Sequence, residues 1–277
     1  MNEQDIIHNS TLGQQTNYTY QYDPQLLYPI PRHFKRAELG ITEPLPFYGV
    51  DTWNDYETSW LNAQGKPMVA ITEIQIPCTS PNIVESKSLK LYLNALSNVP
   101  FSTVSDIQAL IQKDLSAITN SDVRVTIHPL DTFKNITIAA APGMCIDQLD
   151  ITIDTYEAAP HYLTSDQNSQ VTEILHTHLL KSNCPVTQQP DWGTLIIEYT
   201  GKKISREGLL RYVVSLRNQY EFHEQCIERI FINMMRYCQP QKLSVLGRYT
   251  RRGGKDINPY RSTEQNTLPI NQRLIRQ

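Results

Sequence analysis

Apolar and polar positions alternate or recur along this chain with periods that mark out its elements. From Lys66 to Pro77, Val69, Ile71, Glu73 and Gln75 interleave with Ala70, Thr72, Ile74 and Ile76, which predicts a strand. Asp122–Ile127 and Thr194–Tyr199 read as strands in the same way, and so does Asp147–Asp154, with Leu149, Ile151 and Ile153 in alternation. Val171–Leu180 fits a strand or a helix, and a strand running into the turn at Cys184 is favoured. Asp166–Gln170 before it reads as a polar linker or turn. Helical spacing appears after Thr103-x-x-Asp106, a capping-box pattern, where Ile107, Leu110, Ile111, Leu115 and Ile118 form one stripe. Leu209–Ser215 is apolar and reads as helix. Phe222–Cys238 is the strongest helical pattern, with Phe222, Cys226, Ile227, Ile230, Phe231 and Met234 in step. Lys242–Tyr249 reads as the final strand, ahead of a basic tail holding Arg251, Arg252, Lys255, Arg261, Arg273 and Arg276. Residues 1–60, rich in Tyr, Pro and Gln, read as an arm that hugs the surface and leads into the first module.

Composition narrows the class without naming a function. The 277 residues are 40% apolar and 19% charged, which is globular. A net charge of −3 argues against a nucleic-acid coat. No apolar run is long enough to span a bilayer, and Met1–Asp5 carries no leader pattern, so the expectation is a cytoplasmic protein with no membrane partner. Five cysteines with no C-x-x-C pair make neither a disulfide framework nor a zinc framework, so free thiols are expected.

One thiol stands out. Ser182–Gly193 holds Cys184 and Asp191 between Pro185, Pro190 and Gly193, a rigid turn with an acid close behind a nucleophile. A weak internal repeat gives this loop a context. Sliding Glu85–Val104 by 120 residues onto Ser205–Glu224 pairs Leu89 with Leu209, Tyr92 with Tyr212 and Leu96 with Leu216. A three-residue gap then sets Cys184 against Leu61 and Asp191 against Met68, while the ungapped slide sets His223-Glu224 against Thr103-Val104. The expected organisation is an arm over 1–60, a first module over 61–160 and a second over 161–277. The reactive groups sit in the second copy and Glu85-Ser86-Lys87 in the first, so a site at the seam would need both.

Glu85-Ser86-Lys87-Ser88-Leu89-Lys90-Leu91-Tyr92, the Cys184…Asp191 loop and Phe222-His223-Glu224 together resemble the NADPH-dependent 7-cyano-7-deazaguanine reductases, the nitrile reductases of queuosine biosynthesis. The resemblance runs from about Tyr28 to Ser262 and matches the two-module branch. It implies an α+β tunnelling fold in tandem, with antiparallel sheets and helices on one face, working as a homodimer without direct nucleic-acid contact. It also implies reduction of a deazapurine nitrile to an aminomethyl group, consuming two NADPH. Cys184 is then the expected nucleophile and Asp191 the proton carrier. Val84, Glu85, Ser86, Phe222, His223 and Glu224 are the expected substrate contacts. Ser86, Lys87, Arg252 and Gly253 are the expected cofactor contacts, since no G-x-G-x-x-G fingerprint occurs. No metal is expected.

The chemistry suits these residue types. A thiolate converts a nitrile to a thioimide, whose C=N accepts hydride more readily. A carboxyl that hands protons back and forth belongs in a dry pocket, and Trp192 beside Asp191 suggests one. Two other readings stay open. One is a zinc cyclohydrolase of the same fold, with Cys184, His223 and Cys226 as ligands. The other is a silent purine- or pterin-binding tandem module. A Cys184–Cys226 disulfide under oxidation is a further expectation. The His176-x-His178 pair points to one strand face but shows no third ligand and reads as structural.

Overall fold

The computed structural model describes residues 19–134, 137–265 and 267–277, so the reading of the first residues as leaderless lies outside it. The chain forms two compact units. One comprises Met1–Glu38, Thr52–Ile136 and Arg251–Asp256, the other Leu39–Asp51, Thr137–Thr250 and Ile257–Gln277. In chain order the first elements are β1 (Pro29–Pro31), α1 (His33–Leu39), β2 (Tyr48–Leu61), β3 (Pro67–Pro77), β4 (Asn82–Val84), α2 (Ser86–Ala95), α3 (Val104–Thr119) and β5 (Arg124–Pro129). There follow β6 (Met144–Cys145), β7 (Ser165–Asn183), β8 (Pro190–Ile204), α4 (Arg206–Ser215), α5 (His223–Tyr237), β9 (Lys242–Tyr249) and β10 (Lys255–Ser262).

In the first unit β3 lies between β2 and β5. It pairs antiparallel with β5 from Ala70↔Pro129 to Gln75↔Arg124. The period-2 pattern holds as expected: Ala70, Thr72, Ile74 and Ile76 are buried, while Ile71, Glu73 and Gln75 are half-buried. The capping box opens α3, with the Thr103 hydroxyl accepting from Asp106 N and the Asp106 carboxylate from Thr103 N. Ile107, Ile111 and Leu115 are fully buried on its stripe, and the helix packs on β4 and β5. In the second unit the sheet order is β10-β9-β8-β7-β6. The pairings there are antiparallel except that short β6 runs parallel to β7. Helix α5 packs on β9 and α4 on β7. The architecture is α+β, as expected.

Three expectations of local structure are corrected. Asp147–Asp154 is not a strand. Its residues do alternate between half-buried and exposed, but no backbone ladder runs beside them, and alternation without a partner leaves an extended segment. Asp166–Gln170 is not a linker, for it lies within β7 at a shift in register. The 14-residue β2 occupies the end of the supposed arm, with Trp53 and Trp60 buried. Within the basic tail runs β10, which is buried throughout. Arg261 has no exposed surface. It donates to Asp51 at 2.7 Å and to Glu228 at 2.8 and 3.1 Å, with the Phe47 ring 5.5 Å away.

The two units share a corner in backbone hydrogen bonding, and it sets a register different from the residue matches. In the first unit Leu61 N donates to Val99 O and Phe101 N donates to Leu61 O. In the second, Asn183 N donates to Gln219 O and Glu221 N donates to Asn183 O. Leu61 is therefore the counterpart of Asn183, and Cys184 falls opposite Asn62 instead of Leu61. Tyr92 donates to Asp114 at 2.7 Å, and the Tyr212 hydroxyl accepts from Asn233 at 2.8 Å. The N-caps Thr103 and Phe222 correspond, so His223 stands opposite Val104. A one-residue offset of this kind is invisible where few side chains are shared.

One irregularity of β7 governs where its side chains point. Thr177 pairs with Leu195, but Leu180 pairs with Gly193, so one extra residue is fitted at 178–179. Such a bulge reverses the facing of everything beyond it. His176 and His178 share the face of Ile196 and Thr194, whereas Leu180 and Ser182 share the face of Gly193 and Asp191.

Candidate active site

The second unit assembles its reactive groups at one end of the β7–β8 hairpin. Asn183 pairs with Pro190 and Ser182 with Asp191 as the last rungs of the ladder. Cys184 begins the connecting loop, which closes on itself: Cys184 N donates to Gln189 O at 2.9 Å and Gln188 N to Cys184 O at 3.1 Å. The proline after Cys184 cannot extend the ladder, which is why the strand stops there. The thiol is buried, and so is the Asp191 carboxylate. The bridge from Asn183 to Tyr220 brings the start of α5 to the same place. There the His223 Nε2 lies 3.7 Å from Asp191 Oδ1, and the His223 ring stands edge-on to Tyr249 at 4.1 Å. Phe222 is the N-cap of α5, its N–H donating to Gln225 Oε1 at 3.0 Å, so His223 and Glu224 occupy the first turn. The helix N-terminus adds a positive potential that favours anionic groups nearby.

His223 and Glu224 are not the surface pair that a helix start usually presents, since Glu224 is buried and His223 mostly so. Trp192 does not dry the pocket. It lies on the opposite face of β8 from Asp191, 37% exposed, with Arg217 and Lys181 about its ring. The dryness comes from Tyr249 and Cys226, which the sequence reading did not place at the carboxylate. Burial, then the neighbouring Cys226 and Asp191, push the Tyr249 phenol well above its ordinary range. Burial, then the charge of Glu221, push the Cys226 thiol up to about 12. Both groups are therefore neutral at physiological pH. Tyr249 ends the predicted strand two residues short of the Arg251-Arg252-Gly253 motif, and only a three-dimensional argument connects it to His223. Cys184 and Cys226 are both free thiols.

The first unit gathers the other set. Glu85 is buried as the N-cap of α2, its carboxylate accepting from Lys87 N at 2.6 Å and Ser88 N at 2.8 Å. Val84 precedes it in β4, buried and paired with Pro29. Ser86 and Lys87 are half-exposed on the first turn. Arg252 and Gly253 meet this helix one turn on. Arg252 N and Lys255 O close a tight turn at 2.8 Å, with Gly253 at φ +57° and Gly254 at φ +75°. A Cβ on Gly253 would come within 3.0 Å of Lys90 Nζ, and one on Gly254 within 2.2 Å of Glu57, so both positions demand glycine. Lys90 and Glu57, 3.8 Å apart, thus join the expected cofactor set. Lys90 was legible as the next exposed turn after Lys87, but Glu57 was not. Lysine, arginine and two glycines at positive φ on one small surface suit a phosphate-bearing cofactor.

Comparison with known proteins gives one answer. Residues 18–127 match the family model described as nitrile reductase, 7-cyano-7-deazaguanine-reductase N-term, and residues 190–267 match the one described as QueF-like protein. Cys184 falls between the two spans. A protein of Dechloromonas aromatica (strain RCB) named NADPH-dependent 7-cyano-7-deazaguanine reductase is 52% identical over 274 residues, covering 99% of this chain and 97% of its own. Proteins of the same name from Legionella pneumophila strains Corby and Lens are 54% and 53% identical over 277 residues, with the same coverage. This chain belongs to the NADPH-dependent 7-cyano-7-deazaguanine reductase family.

Proposed function

We propose that this chain reduces the nitrile of 7-cyano-7-deazaguanine to the aminomethyl group through a covalent thioimide on Cys184, as a step of queuosine biosynthesis. The observation that carries the reading is the grouping of the buried Cys184 hairpin with Asp191 and His223 at 3.7 Å. The Cys184 sulfur adds to the nitrile carbon. Its proton passes to Asp191 and from there to the nitrile nitrogen, leaving a C=N–H bound through sulfur. NADPH supplies one hydride to that carbon and, after sulfur departs as the leaving group, a second to the resulting imine. The substrate gains two hydrides and two protons in all. Asp191 and His223 are the groups that hold and release those protons. Tyr249 and Cys226, neutral and buried beside them, exclude water and keep the pair coupled.

Glu224 and Glu85 suit the ring amide and exocyclic amine of a guanine-like base, and Phe222 its flat face. Val84 and Ser86 flank Glu85 in the same role. Ser86, Lys87, Arg252 and Gly253 suit the phosphates of NADPH, and Lys90 adds a charge to them. The two copies of the module are proposed to follow the two compact units, with most of β2, from the end of the 1–60 stretch, belonging to the first. The chain is proposed to work as a cytoplasmic homodimer without nucleic acid. Among the described residues no helix is long and apolar enough to cross a membrane.

Intact-mass measurement tests the covalent step. Mixed with 7-cyano-7-deazaguanine and no NADPH, the protein should gain the full mass of the substrate, since addition expels nothing. The gain should vanish in Cys184→Ala and reverse when NADPH is supplied. Turnover by the Cys184→Ala protein at the parental rate would sink the thioimide.

A further inference from the structure

Away from Asp191, on the opposite face of the second unit's sheet, a second constellation has ligand chemistry. Cys145, His176 and His178 bring one ligand atom each to within 4.8 Å of one another. His176 and His178 are two residues apart on β7, before the bulge reverses its facing. Cys145 comes from β6, which lies parallel to β7 with Cys145 in register with His176. The third ligand that the His-x-His pattern lacked in sequence is thus supplied by a strand some thirty residues upstream.

The surroundings are built for this approach. Ile146 N donates to His176 O at 3.0 Å, which fixes β6 beside β7. Gly143 takes φ +77°, and a Cβ there would lie 2.1 Å from Ile174 O, so only glycine lets the segment come this close. Both imidazoles are held through Nδ1: His176 against Pro142 O at 2.8 Å and His178 against Thr194 Oγ1 at 2.9 Å. That leaves Nε2 of each ring for a ligand, with the other nitrogen on a carbonyl or hydroxyl partner. This is the outer-shell arrangement that orients metal-binding histidines. The Asp147 carboxylate accepts from His178 N at 3.0 Å and Arg276 donates to His178 O at 2.6 Å, so the backbone under the second histidine is pinned from two sides. Cys145 is exposed and gives an ion a way in.

We propose that Cys145, His176 and His178 form a binding site for a borderline-soft divalent transition ion, Zn²⁺ in particular. One sulfur and two imidazole nitrogens are donors that zinc accepts and that calcium and magnesium do not. Zn–S and Zn–N bonds of about 2.3 and 2.0–2.1 Å set tetrahedral ligand atoms roughly 3.5 Å apart. The ligand atoms, within 4.8 Å of one another, draw together by up to about 1.3 Å to reach that spacing. Three protein ligands leave the fourth position for water. The site is independent of the reductase chemistry, since it shares no residue with it.

Metal titration of the whole chain, reduced and freed of metal by a chelator, tests the site. Added Co²⁺ should bind at one equivalent, giving tetrahedral visible bands and a thiolate charge-transfer band, both abolished by Zn²⁺. Cys145→Ser should abolish the charge-transfer band and weaken Zn²⁺ binding at least about tenfold, and His178→Gln should weaken it similarly. Zn²⁺ should raise the melting temperature of the parent and of Cys184→Ala, but not of Cys145→Ser. Far-UV circular dichroism identical to the parent shows that the variants fold. Absence of saturable binding in the parent overturns the proposal. So does binding that survives Cys145→Ser, or that is lost in Cys184→Ala.

Discussion

The two halves of this molecule build the same corner and use it differently. In each, a hairpin strand ends in a bridge to the segment that leads into the second helix of the module, with the same pair of backbone hydrogen bonds. Immediately after that bridge stands Asn62 in one half and Cys184 in the other. Asn62 closes its own exposed turn, its side chain accepting from Gln64 N and Lys66 N at 2.9 Å each. Cys184 leaves that work to the backbone, through Gln189 O, and turns a thiol inward. The following helix repeats the contrast. Thr103 and Asp106 satisfy each other at the exposed start of α3, while α5 opens with buried Phe222 and Glu224 beside His223. One copy caps its exposed turn and helix with Asn62, Thr103 and Asp106, while the other buries Cys184, Phe222 and Glu224 at the same corner.

Substitutions at matching positions should part sharply. Cys184→Ala should lower nitrile reduction about 10³-fold or more with an unchanged melting temperature, read by substrate-dependent NADPH loss. The next largest effect lies in the buried charges of the second unit. Arg261→Ala leaves Asp51 and Glu228 buried without their cation and should cost about 3–5 kcal/mol in urea unfolding. A cost below about 1 kcal/mol would mean that water reaches those carboxylates. Exchanging the counterparts comes third. Asn233→Asp places a carboxylate against the fully buried Tyr212 and should cost about 2 kcal/mol, more than Asp114→Asn, which keeps an acceptor for Tyr92.

The pH dependence of stability is a fourth measurement. Cys226 ionises near 9 when unfolded and at about 12 when folded. Its contribution is therefore complete below pH 9 and is lost as pH rises toward 12, because the unfolded chain releases its proton first. Cys226→Ala should flatten the alkaline fall in stability, and an unchanged slope would assign that fall to Tyr249 and the other phenols. Smallest of all, Asn62→Ala should leave activity at the parental level and cost about 1 kcal/mol or less.

The regular elements were legible because burial on one face imposes a period. The stripe of α5 and the alternation of β3 carried through, and that of α3 did so at Ile107, Ile111 and Leu115, with Leu110 and Ile118 half-buried. What escaped was whatever depends on a partner strand. Asp147–Asp154 alternates without a ladder, and β10 hides in a stretch that reads as a basic tail because Lys255 and Arg261 are buried against carboxylates far away in sequence. Of the site, Cys184, Asp191, His223 and Glu224 were legible as residue types in motif. Tyr249, Glu57 and the Cys145 half of the second constellation were not, since each reaches its neighbours from a different part of the chain. The side to which Trp192 points was lost for the same reason, as adjacency in sequence means opposite faces in a strand.

The extra residue at 178–179 makes the length of β7 a matter of odd and even. Removing one residue there would straighten the ladder and put the histidines and Ser182 on the same face of the sheet, either by turning Leu180 and Ser182 away from Asp191 or by turning His176 and His178 toward it. Removing or adding two would leave both facings intact. Length variants of this strand should therefore survive in steps of two, a constraint on the gene as strict as the identity of the thiol and written in no side chain.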